Sequence, residues 1–456
     1  MKPTEVLVIF DIGKTNKKVL LYDNRLRLVL EEESSFPEVV DDEGFPCDDA
    51  NLLEKWIQER LHHYQNSDSY EPRGVNFTTY GATLVYLDQY GKRISPIYNY
   101  LKPLPEQVLK GFFEPYGGQE EFSRRSASPL LGMLNSGLQL VWLKRTKPDL
   151  FAKAEQILHL PQYLASLLHG KGVSEHTSIG CHTMMWDFDR MKYHSWLARE
   201  EINLPHPIPV SETFPVVMLG NKIEAGVGIH DSSASLAPYI LTAKEAFILV
   251  STGTWCINMN PFNKEPLTTE QLRQDCLCFL GVLGKPVKSS RFFLGRIHDL
   301  NLERLEEHFF TDEEAYKRVD PEPGKIRELW EKGADAQLFF RQGIPVGLVE
   351  LGVDCGQFGS FEDAYSRMMV DLSLLVVQSI ELVRAENDKT KHLYITGGFA
   401  RNPIFRTILS LAFPDKQVYT SEVDNASSLG AALVMADKIW EGTSSHLDLG
   451  LRKVQP

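Results

Sequence analysis

The sequence predicts a two-domain α/β protein with a cleft between two similar halves, and three observations lead to this prediction. The chain has 456 residues, which is more than one small module needs and fits two domains. Apolar, strand-like runs alternate with helical patterns along its length. A short motif, an apolar strand followed by a Gly turn and a second strand, begins at Val6 and again at Ala246. Two similar halves that face each other leave a cleft, a common place for a ligand. We place the boundary near residue 240, with domains 1–240 and 241–456.

The first half is predicted to open with three strands. The continuous apolar run at residues 6–10 is typical of a strand buried on both faces, and strands at residues 18–22 and 27–31 follow it. An amphipathic helix is predicted from about Asp49, because apolar residues recur there at helical spacing. The remaining predicted elements of this half are strands at 75–78 and 84–87 and helices at 138–144 and 154–168.

The second half repeats the theme. Strands are predicted at residues 246–250 and 255–259, and a long helix from Asp363 to about Ala385. A strand at 392–396 leads to Gly397-Gly398 and then to a helix opened by Asn402-Pro403, an N-cap residue followed by Pro at the first helical position. A strand at 417–420 and a helix at 426–440 close the predicted fold.

Composition excludes several classes of protein. Apolar residues make up 43% and charged residues 24%, which excludes a disordered chain. The formal net charge of −13 argues against non-specific binding to nucleic acid or to an anionic membrane. Six cysteines in so long a chain do not form a disulfide framework, so we expect reduced thiols and a cytoplasmic location. The sequence shows no targeting or membrane-spanning segment.

No zinc motif stands out in the sequence. Cys276 and Cys278 are too close for a CxxC pair, and His176 and His182 have no cysteine or carboxylate partner at metal-ligand spacing. The sequence also lacks a GxSxG elbow, which argues against an α/β-hydrolase nucleophile.

The turn DIGKT at residues 11–15 is the first candidate for phosphate binding. It is not a P-loop, because Val8 stands where the first Gly belongs and a strand follows in place of a helix. A tight Gly turn between strands can still present backbone N–H groups to a phosphate. Asp11 would then be placed to hold Mg²⁺ through water. The alternative is a plain hairpin whose Asp caps the turn, and the motif alone does not decide between the two.

Two turns of the second half have related features. STGTW at residues 251–255 offers hydroxyls and backbone amides to an anion, although an ordinary hairpin would look the same. TGGFARNP at residues 396–403 joins a double Gly to a helix N-terminus, which favours phosphate. Any one of these turns is explained by the need to reverse the chain. Three of them, each at the end of an apolar strand, together favour a common role in binding an anion.

The segment GVGIHDSSAS at residues 226–235 places an Asp at a helix start. It is not a dinucleotide fingerprint, because Asp231 stands where the third Gly belongs. The small residues after it indicate a helix beginning near Ser232, whose dipole keeps the carboxylate ionised at pH 7, as a proton acceptor requires. Considered alone, Asp231 fits a simple N-cap at least as well.

Five segments in this order resemble the FGGY family of carbohydrate kinases, closest to its rhamnulokinase and fuculokinase branch. They are DIGKTNKK, IHDSSAS, VSTGTW, ITGGFARNP and ASSLGAAL, and they cover nearly the whole chain. The branch assignment rests on STGTW and on SIGCHTMMWDFD at residues 178–189. The resemblance implies two ribonuclease-H-like domains, as in actin and hexokinase, with ATP and a sugar in the cleft between them.

The resemblance also implies roles for particular residues. Asp231 matches the family's catalytic base, and Asp11 would carry the metal, Mg²⁺. The ATP-binding positions would be Asp11, Gly13, Lys14, Thr15, Asn16, Ser251, Thr252, Gly253, Thr254, Gly397, Gly398, Phe399 and Asn402. The sugar-facing positions would be Thr79, Tyr80, Thr83, Asn99, His182, Asp231 and Trp255.

Two positions depart from the family pattern. Lys14 stands where many relatives carry a small hydroxyl residue, and its charge would meet either the ATP phosphates or a neighbouring carboxylate. In PIYNYL at residues 96–101, Tyr98 is followed by Asn99 and Tyr100, whereas relatives often place a sugar-binding Asp two residues after an aromatic. Either Asn99 or another residue would then hold the sugar hydroxyls.

The predicted reaction is transfer of the γ-phosphoryl of ATP to a primary hydroxyl of a ketose, such as the deoxy-ketohexoses L-rhamnulose or L-fuculose. A xylulose or ribulose kinase is one alternative, and a non-metabolic ATPase switch of the same superfamily is another. The expected partner is a small-molecule sugar, with neither nucleic acid nor membrane. The oligomeric state is open, a homodimer included.

Overall fold

Two seven-stranded mixed sheets form the frame of the protein in a computed structural model, which describes residues 2–319, 322–333, 339, 354–443 and 447–455. The apolar runs of the sequence form their central strands, and the strand that begins each sheet motif is almost completely buried.

The strands of the first half are β1 (Thr4–Ile12), β2 (Lys17–Asp23), β3 (Leu28–Ser34), β4 (Val39–Val40), β5 (Pro46–Cys47), β6 (Tyr70–Thr79), β7 (Leu84–Leu87), β8 (Gln156–His159), β9 (Ser174–Glu175), β10 (Trp186–Asp187), β11 (Lys192–Tyr193), β12 (Pro207–Ile208), β13 (Thr213–Met218), β14 (Asn221–Gly226) and β15 (Ile229–His230). The helices of this half are α1 (Ala50–Gln65), α2 (Gly118–Arg125), α3 (Ser136–Thr146), α4 (Pro148–Phe151), α5 (Leu160–His169), α6 (His176–Ile179), α7 (Ser195–Arg199) and α8 (Asp231–Thr242).

The strands of the second half are β16 (Phe247–Thr252), β17 (Cys256–Asn260), β18 (Cys276–Leu280), β19 (Pro286–Phe292), β20 (His392–Gly397), β21 (Gln417–Thr420) and β22 (Arg452–Lys453). Its helices are α9 (Thr269–Arg273), α10 (Leu294–Phe309), α11 (Pro323–Gly333), α12 (Phe361–Val383), α13 (Pro403–Ala412) and α14 (Ala426–Ile439).

The two sheets share one topology. In the first, β3, β2 and β1 are antiparallel neighbours, and β6 lies parallel to β1 on its other side. In the second, β19, β17 and β16 repeat the antiparallel set, and β20 lies parallel to β16. The duplication predicted from Val6 and Ala246 is therefore confirmed in the folded chain.

Helices α8 and α14 join the two halves. They pack against each other, and α14 also packs on β1 and β6, so a helix from the end of the chain covers the first sheet. The approach is close, because a Cβ atom added to Gly430 of α14 would lie 1.9 Å from the carbonyl oxygen of Ala234 in α8. The division near residue 240 stays a prediction, because α14 comes from the end of the chain but packs on the first sheet.

One predicted element is wrong in its first part. Residues 154–168 read as one helix, but residues Gln156–His159 form β8, which pairs antiparallel with β7, and the helix α5 begins only at Leu160. Pro161, in the first turn of α5, suits a helix start. Within the described residues, none of the helices combines the length and the apolar character that a membrane crossing requires.

Candidate active site

Asp11 lies at the end of β1, where three strands of the first sheet finish together. In the strand register Asp11 is opposite Thr78 of β6, and His230 of β15 is opposite Thr79. Parallel strands place their carboxyl ends at one edge of a sheet. The structure therefore brings Asp11, Thr79 and Asp231 to the same edge, although they are far apart in the sequence.

The Asp11 carboxyl is tied to the second half of the chain. Ser427 of α14 donates its hydroxyl hydrogen bond to Oδ2 of Asp11 at 2.5 Å. Burial, with a smaller contribution from the negative charge of Asp231, raises the pKa of Asp11 to about 6. No lysine, arginine or histidine nitrogen of the described residues forms an ion pair with Asp11. The site therefore holds negative charge that a cation could neutralise.

The first glycine turn joins β1 to β2. The backbone N–H of Gly13 donates to the carbonyl of Asn16 at 3.0 Å, which closes the turn. Thr15 and Asn16 are exposed at its tip. Their backbone and side-chain groups are thus accessible to a ligand.

Lys14 is paired with carboxylates inside the protein. Its Nζ lies 2.8 Å from Glu38 and 3.2 Å from Asp48, and these partners raise the pKa of Lys14 against the opposing effect of burial. Asp48 also accepts hydrogen bonds from the buried Lys17 at 2.9 Å and from the Tyr80 hydroxyl at 2.7 Å. Lys14 was expected to meet either the ATP phosphates or a neighbouring carboxylate, and the structure shows it paired with carboxylates. The Tyr80 ring is held in place by the same network.

The second glycine turn joins β16 to β17 and has the same form as the first. Gly253 donates its backbone N–H to the carbonyl of Trp255 at 2.9 Å, and Gly253 and Thr254 are exposed. Ser251 is half-buried one residue before Thr252. The Thr252 hydroxyl donates to the carbonyl of Thr396 at 2.6 Å, which ties this turn to β20.

The third turn lies beside the second. Gly397 is opposite Thr252 in the register, has φ of +87°, and would place an added Cβ atom 1.7 Å from the Thr252 carbonyl oxygen. Only glycine fits both this conformation and this contact. Gly398 has open space around it, and the backbone N–H of Phe399 donates to the Thr252 hydroxyl at 3.2 Å.

Asn402 is the N-cap of α13, as predicted. Its Oδ1 accepts from the backbone N–H of Phe405 at 3.1 Å, and its Nδ2 donates to the Tyr365 hydroxyl at 3.0 Å. A cavity of about 630 Å³ opens beside this turn and is bordered by Gly397, Gly398 and the end of β21. It is large enough for a nucleoside-sized ligand.

Asp231 begins α8, one residue earlier than the sequence indicated. Its Oδ1 accepts from the Ser232 backbone N–H at 2.6 Å and lies 3.2 Å from the Ser232 hydroxyl. The side chain remains 38% exposed, while the protein around the carboxyl raises its pKa to about 6. Asp231 is therefore mostly ionised at pH 7, and its pKa lies where a general base works well.

Buried hydroxyl groups lie near the same strand edge. The Thr79 hydroxyl donates to the carbonyl of Tyr80 at 2.7 Å. The Thr83 hydroxyl is buried and has no hydrogen-bond partner among the residues that the structure describes. The ring of Tyr100 packs against Tyr80 at 5.7 Å between ring centroids, and the Asp231 charge contributes to raising the pKa of Tyr100.

Both ends of the Asn99 amide already have partners within the protein. Its Nδ2 donates to the carbonyl of Pro46 in β5 at 2.9 Å, and its Oδ1 accepts from the backbone N–H of Leu101 at 3.0 Å. The side chain is buried. Its contact with a sugar stays a prediction.

His182 and Trp255 reach the site from opposite halves. The His182 ring lies 6.0 Å from that of His230, between ring centroids. Trp255 stacks on Phe293, and Arg291 lies over the Trp255 ring at 5.2 Å. The Arg291 charge contributes to lowering the pKa of His182, which burial lowers to about 3.

The comparison of this sequence with known families decides what the arrangement belongs to. The family model described as "FGGY family of carbohydrate kinases, N-terminal domain" matches residues 6–228, and that described as "Carbohydrate kinase FGGY, C-terminal domain" matches residues 244–321. This chain belongs to the FGGY family. The family that the motifs indicated is thereby confirmed.

The FGGY relatives with curated names are distant. A rhamnulokinase of Oceanobacillus iheyensis is 24% identical over 266 residues, 54% of each protein. A rhamnulokinase of Yersinia pestis is 26% identical over 285 residues, which are 58% of this chain and 56% of the relative. The chain spans about half the length of the curated relatives it matches.

Solved structures of carbohydrate kinases share the fold over nearly the whole chain. A carbohydrate kinase from Novosphingobium aromaticivorans has a TM-score of 0.79 at 24% identity and covers 100% of this chain and 95% of its own. A ligand-bound xylulose kinase from Lactobacillus acidophilus has a TM-score of 0.71 at 14% identity, with 99% and 93% covered. These likenesses confirm the two-domain fold that the resemblance implied.

Sequence reasoning missed several residues of this FGGY site. The motif ASSLGAAL contains Ser427, but the sequence does not show that this residue contacts Asp11. Nothing in the sequence distinguishes Asp48 from other acidic residues. His230 is also a residue of the site that sequence reasoning missed. Its position directly before Asp231 is the one sequence signal that could have pointed to it. The prediction that His182 has no metal-binding partner is wrong in the folded chain. Ligand atoms of Cys181 and His230 lie within 4.8 Å of a ring nitrogen of His182.

Proposed function

We propose that the protein is an ATP-dependent sugar kinase that phosphorylates a primary hydroxyl of a ketose, with a deoxy-ketohexose such as L-rhamnulose as the preferred acceptor. The observation that carries this proposal is the meeting of Asp11 and Asp231, both with pKa values raised to about 6, at one sheet edge in a chain of the FGGY family. ATP would bind across the three glycine turns.

Asp231 would act as the general base. Its ionised carboxylate would take the proton of the sugar hydroxyl while that oxygen bonds to the γ-phosphorus and the bond to the β-phosphate oxygen breaks, leaving ADP. Phosphoryl transfer has a loose transition state, so orientation and charge neutralisation supply most of the catalysis. The Ser232 backbone N–H holds Asp231 in one orientation.

Asp11 fits a role in binding Mg²⁺. One oxygen of its carboxyl accepts a hydrogen bond from Ser427, and no cationic side chain of the described region forms an ion pair with it. Oxygen ligands of this kind suit Mg²⁺, often through water. When bound, the ion would neutralise phosphate charge.

Two observations support a deoxy sugar as the acceptor. The curated relatives are named rhamnulokinase. The paired rings of Tyr80 and Tyr100 give an apolar face beside Asp231, which suits the methyl group of a deoxy sugar. The buried, unpartnered hydroxyl of Thr83 is a candidate contact for a sugar hydroxyl, and a wrong epimer would leave it unpaired.

A coupled assay of ADP formation across L-rhamnulose, L-fuculose, xylulose and ribulose tests this function. We expect sugar-dependent ADP formation with the highest kcat/KM for L-rhamnulose. If kcat/KM is highest for xylulose or ribulose, the preferred acceptor is a pentulose and the proposed deoxy-ketohexose is wrong. Equal ADP formation without any sugar would contradict the kinase and favour an ATPase switch.

The second glycine turn offers a test of ATP binding. We expect Gly253→Val to fold normally, because the nearest atom to an added Cβ is the Trp255 carbonyl oxygen, 4.0 Å away. The added side chain would occupy space at the exposed turn where phosphates are proposed to lie. Isothermal titration calorimetry should show weaker ATP binding by at least about tenfold and sugar binding nearly unchanged. Equal weakening of both ligands would count against the phosphate role.

The raised pKa of Asp231 predicts how activity depends on pH. Burial raises this pKa to about 6, so the ionised base is present above pH 6 and is lost as pH falls through that value. The kcat/KM for the sugar should then fall about tenfold for each pH unit below about 6. A profile that stays flat down to pH 4.5, with the protein still folded, would exclude Asp231 as the base.

A further inference from the structure

One cysteine and two histidines meet beside Asp231, and we propose that they form a binding site for Zn²⁺. The cluster consists of Cys181, His182 and His230, and we call it the thiol–imidazole cluster. One ligand atom from each residue lies within 4.8 Å of the other two. The sequence hid this arrangement, because His230 is far from the other two residues along the chain.

The spacing needs only small adjustment to hold zinc. Zinc bonds of about 2.0–2.3 Å to nitrogen and sulfur place the ligand atoms of a tetrahedral site roughly 3.3–3.8 Å apart. The Sγ of Cys181 already lies 3.5 Å from Nδ1 of His182. Rotation of the Cys181 and His182 side chains would close the remaining gap to His230 without moving the backbone. Three protein ligands leave a fourth position for water.

His230 has an unused nitrogen in a buried position. Its Nδ1 has no hydrogen-bond partner among the described residues, although the side chain is only 3% exposed. Buried polar atoms nearly always have a partner, so this exception calls for one. The ring cannot move far, because a Cβ atom added to Gly81 would lie 2.3 Å from it. Its backbone N–H is held by the Thr177 hydroxyl at 3.1 Å.

The backbone also fixes His182 in place. Its φ of +38° lies in the left-handed region, which few residues other than glycine adopt. Asn135 donates from Nδ2 to the His182 carbonyl at 2.8 Å and holds this turn. The ring therefore approaches Cys181 and His230 without a loop rearrangement, which reduces the cost of binding an ion.

The charges around the cluster favour a divalent cation. The Asp231 carboxylate lies 3.5 Å from Nε2 of His230, so a negative charge stands next to the cluster. Arg291 forms an ion pair with Asp275 at 3.0 Å. Thiolate and imidazole ligands select zinc over magnesium, so the Mg²⁺ proposed at Asp11 would not compete. On binding, Cys181 would give up its proton to solvent and coordinate as the thiolate.

A zinc ion here would inhibit the enzyme, and this consequence rests on the proposed function. It would hold His182, a predicted sugar contact, and its charge would draw the Asp231 carboxylate away from the sugar hydroxyl. Inhibition would then be competitive with the sugar and not with ATP. We expect Zn²⁺ to raise KM for the sugar severalfold.

Co²⁺ is a suitable probe of the site, because a bound thiolate gives it a charge-transfer absorption. Titration of the full chain with Co²⁺, without ATP or sugar, should saturate at one ion per chain, and added Zn²⁺ should abolish the signal. Cys181→Ser should lose the absorption, and His182→Asn should weaken binding at least about tenfold. Cys355→Ala, which removes a thiol in the core of the second half, should keep the full signal. Circular dichroism would show that each variant is folded.

Absence of the absorption in the folded parent protein would overturn the zinc site, as would an undiminished signal in Cys181→Ser. This test needs no substrate, so it is independent of the kinase proposal. A Zn²⁺ effect that is competitive with ATP, or no effect on KM for the sugar, would overturn the inhibitory role.

Discussion

Replacing Asp231 with asparagine should reduce kcat for sugar phosphorylation by roughly 10²–10⁴-fold, the usual contribution of a general base. An amide oxygen can still accept the hydrogen bond that the Ser232 backbone N–H gives at 2.6 Å, so the start of α8 should keep its structure. The amide cannot take a proton at neutral pH. ATP binding should change little, because the glycine turns are untouched. Steady-state kinetics with the preferred sugar and calorimetric titration of ATP provide the two measurements.

The chain contains a matched control for this variant. Asp299 follows His298 within α10, as Asp231 follows His230 where β15 meets α8, but the Asp299 side chain is 75% exposed. We expect Asp299→Asn to keep kcat within about twofold, since exposed substitutions of this kind have small effects. Near-normal turnover in Asp231→Asn would remove Asp231 from the role of base. A comparable loss in both variants would show that the effect is not specific to the site.

Replacing Gly430 with alanine should both destabilise the protein and reduce its activity. The added methyl would lie 1.9 Å from the Ala234 carbonyl oxygen, so α14 would have to move away from α8. Overpacking of this kind costs roughly 1–3 kcal/mol or more in the free energy of unfolding. The same movement would shift Ser427 from Asp11 and the start of α8 at Asp231. Chemical denaturation and kcat should therefore change together.

Gly333→Ala in α11 is the corresponding control. Its added Cβ atom would lie 3.5 Å from Leu374 and 3.6 Å from Val370, which is ordinary van der Waals contact. Gly333 is the last residue of α11 and its φ is not positive, so alanine fits its backbone conformation. We expect this variant to be as stable as the parent or slightly more stable. A Gly430→Ala protein with unchanged stability would mean that the α8–α14 contact is looser than described.

The glycine turns show what could be predicted from local sequence. The strands at residues 6–10 and 246–250 and the turns after them are short-range features, because an apolar run and a following glycine specify a strand and its end. Asn402-Pro403 marked the start of α13 for the same reason. In each case the residues that determine the element are neighbours in the chain.

Errors and omissions arose where a partner lies far away in the sequence. Residues Gln156–His159 form a strand because β7, from Leu84 to Leu87, pairs with them, whereas their own pattern also suits a helix. The Asp48 carboxylate accepts hydrogen bonds from Lys14, Lys17 and Tyr80, which surround it only in the folded chain. No periodicity in the sequence records such contacts.

Local sequence alone determined the doubled strand–turn–strand plan and the residue types at each turn, because hydrophobic periodicity and glycine placement act over a few residues. The resemblance of five motifs indicated the family. Only the tertiary structure decided which of these residues work together. The pKa values of Asp11 and Asp231 are raised because the folded chain surrounds their carboxyl groups, and the thiol–imidazole cluster joins residues that neighbouring strands and turns bring together. Burial and proximity depend on how the whole chain packs, so no local pattern can specify them.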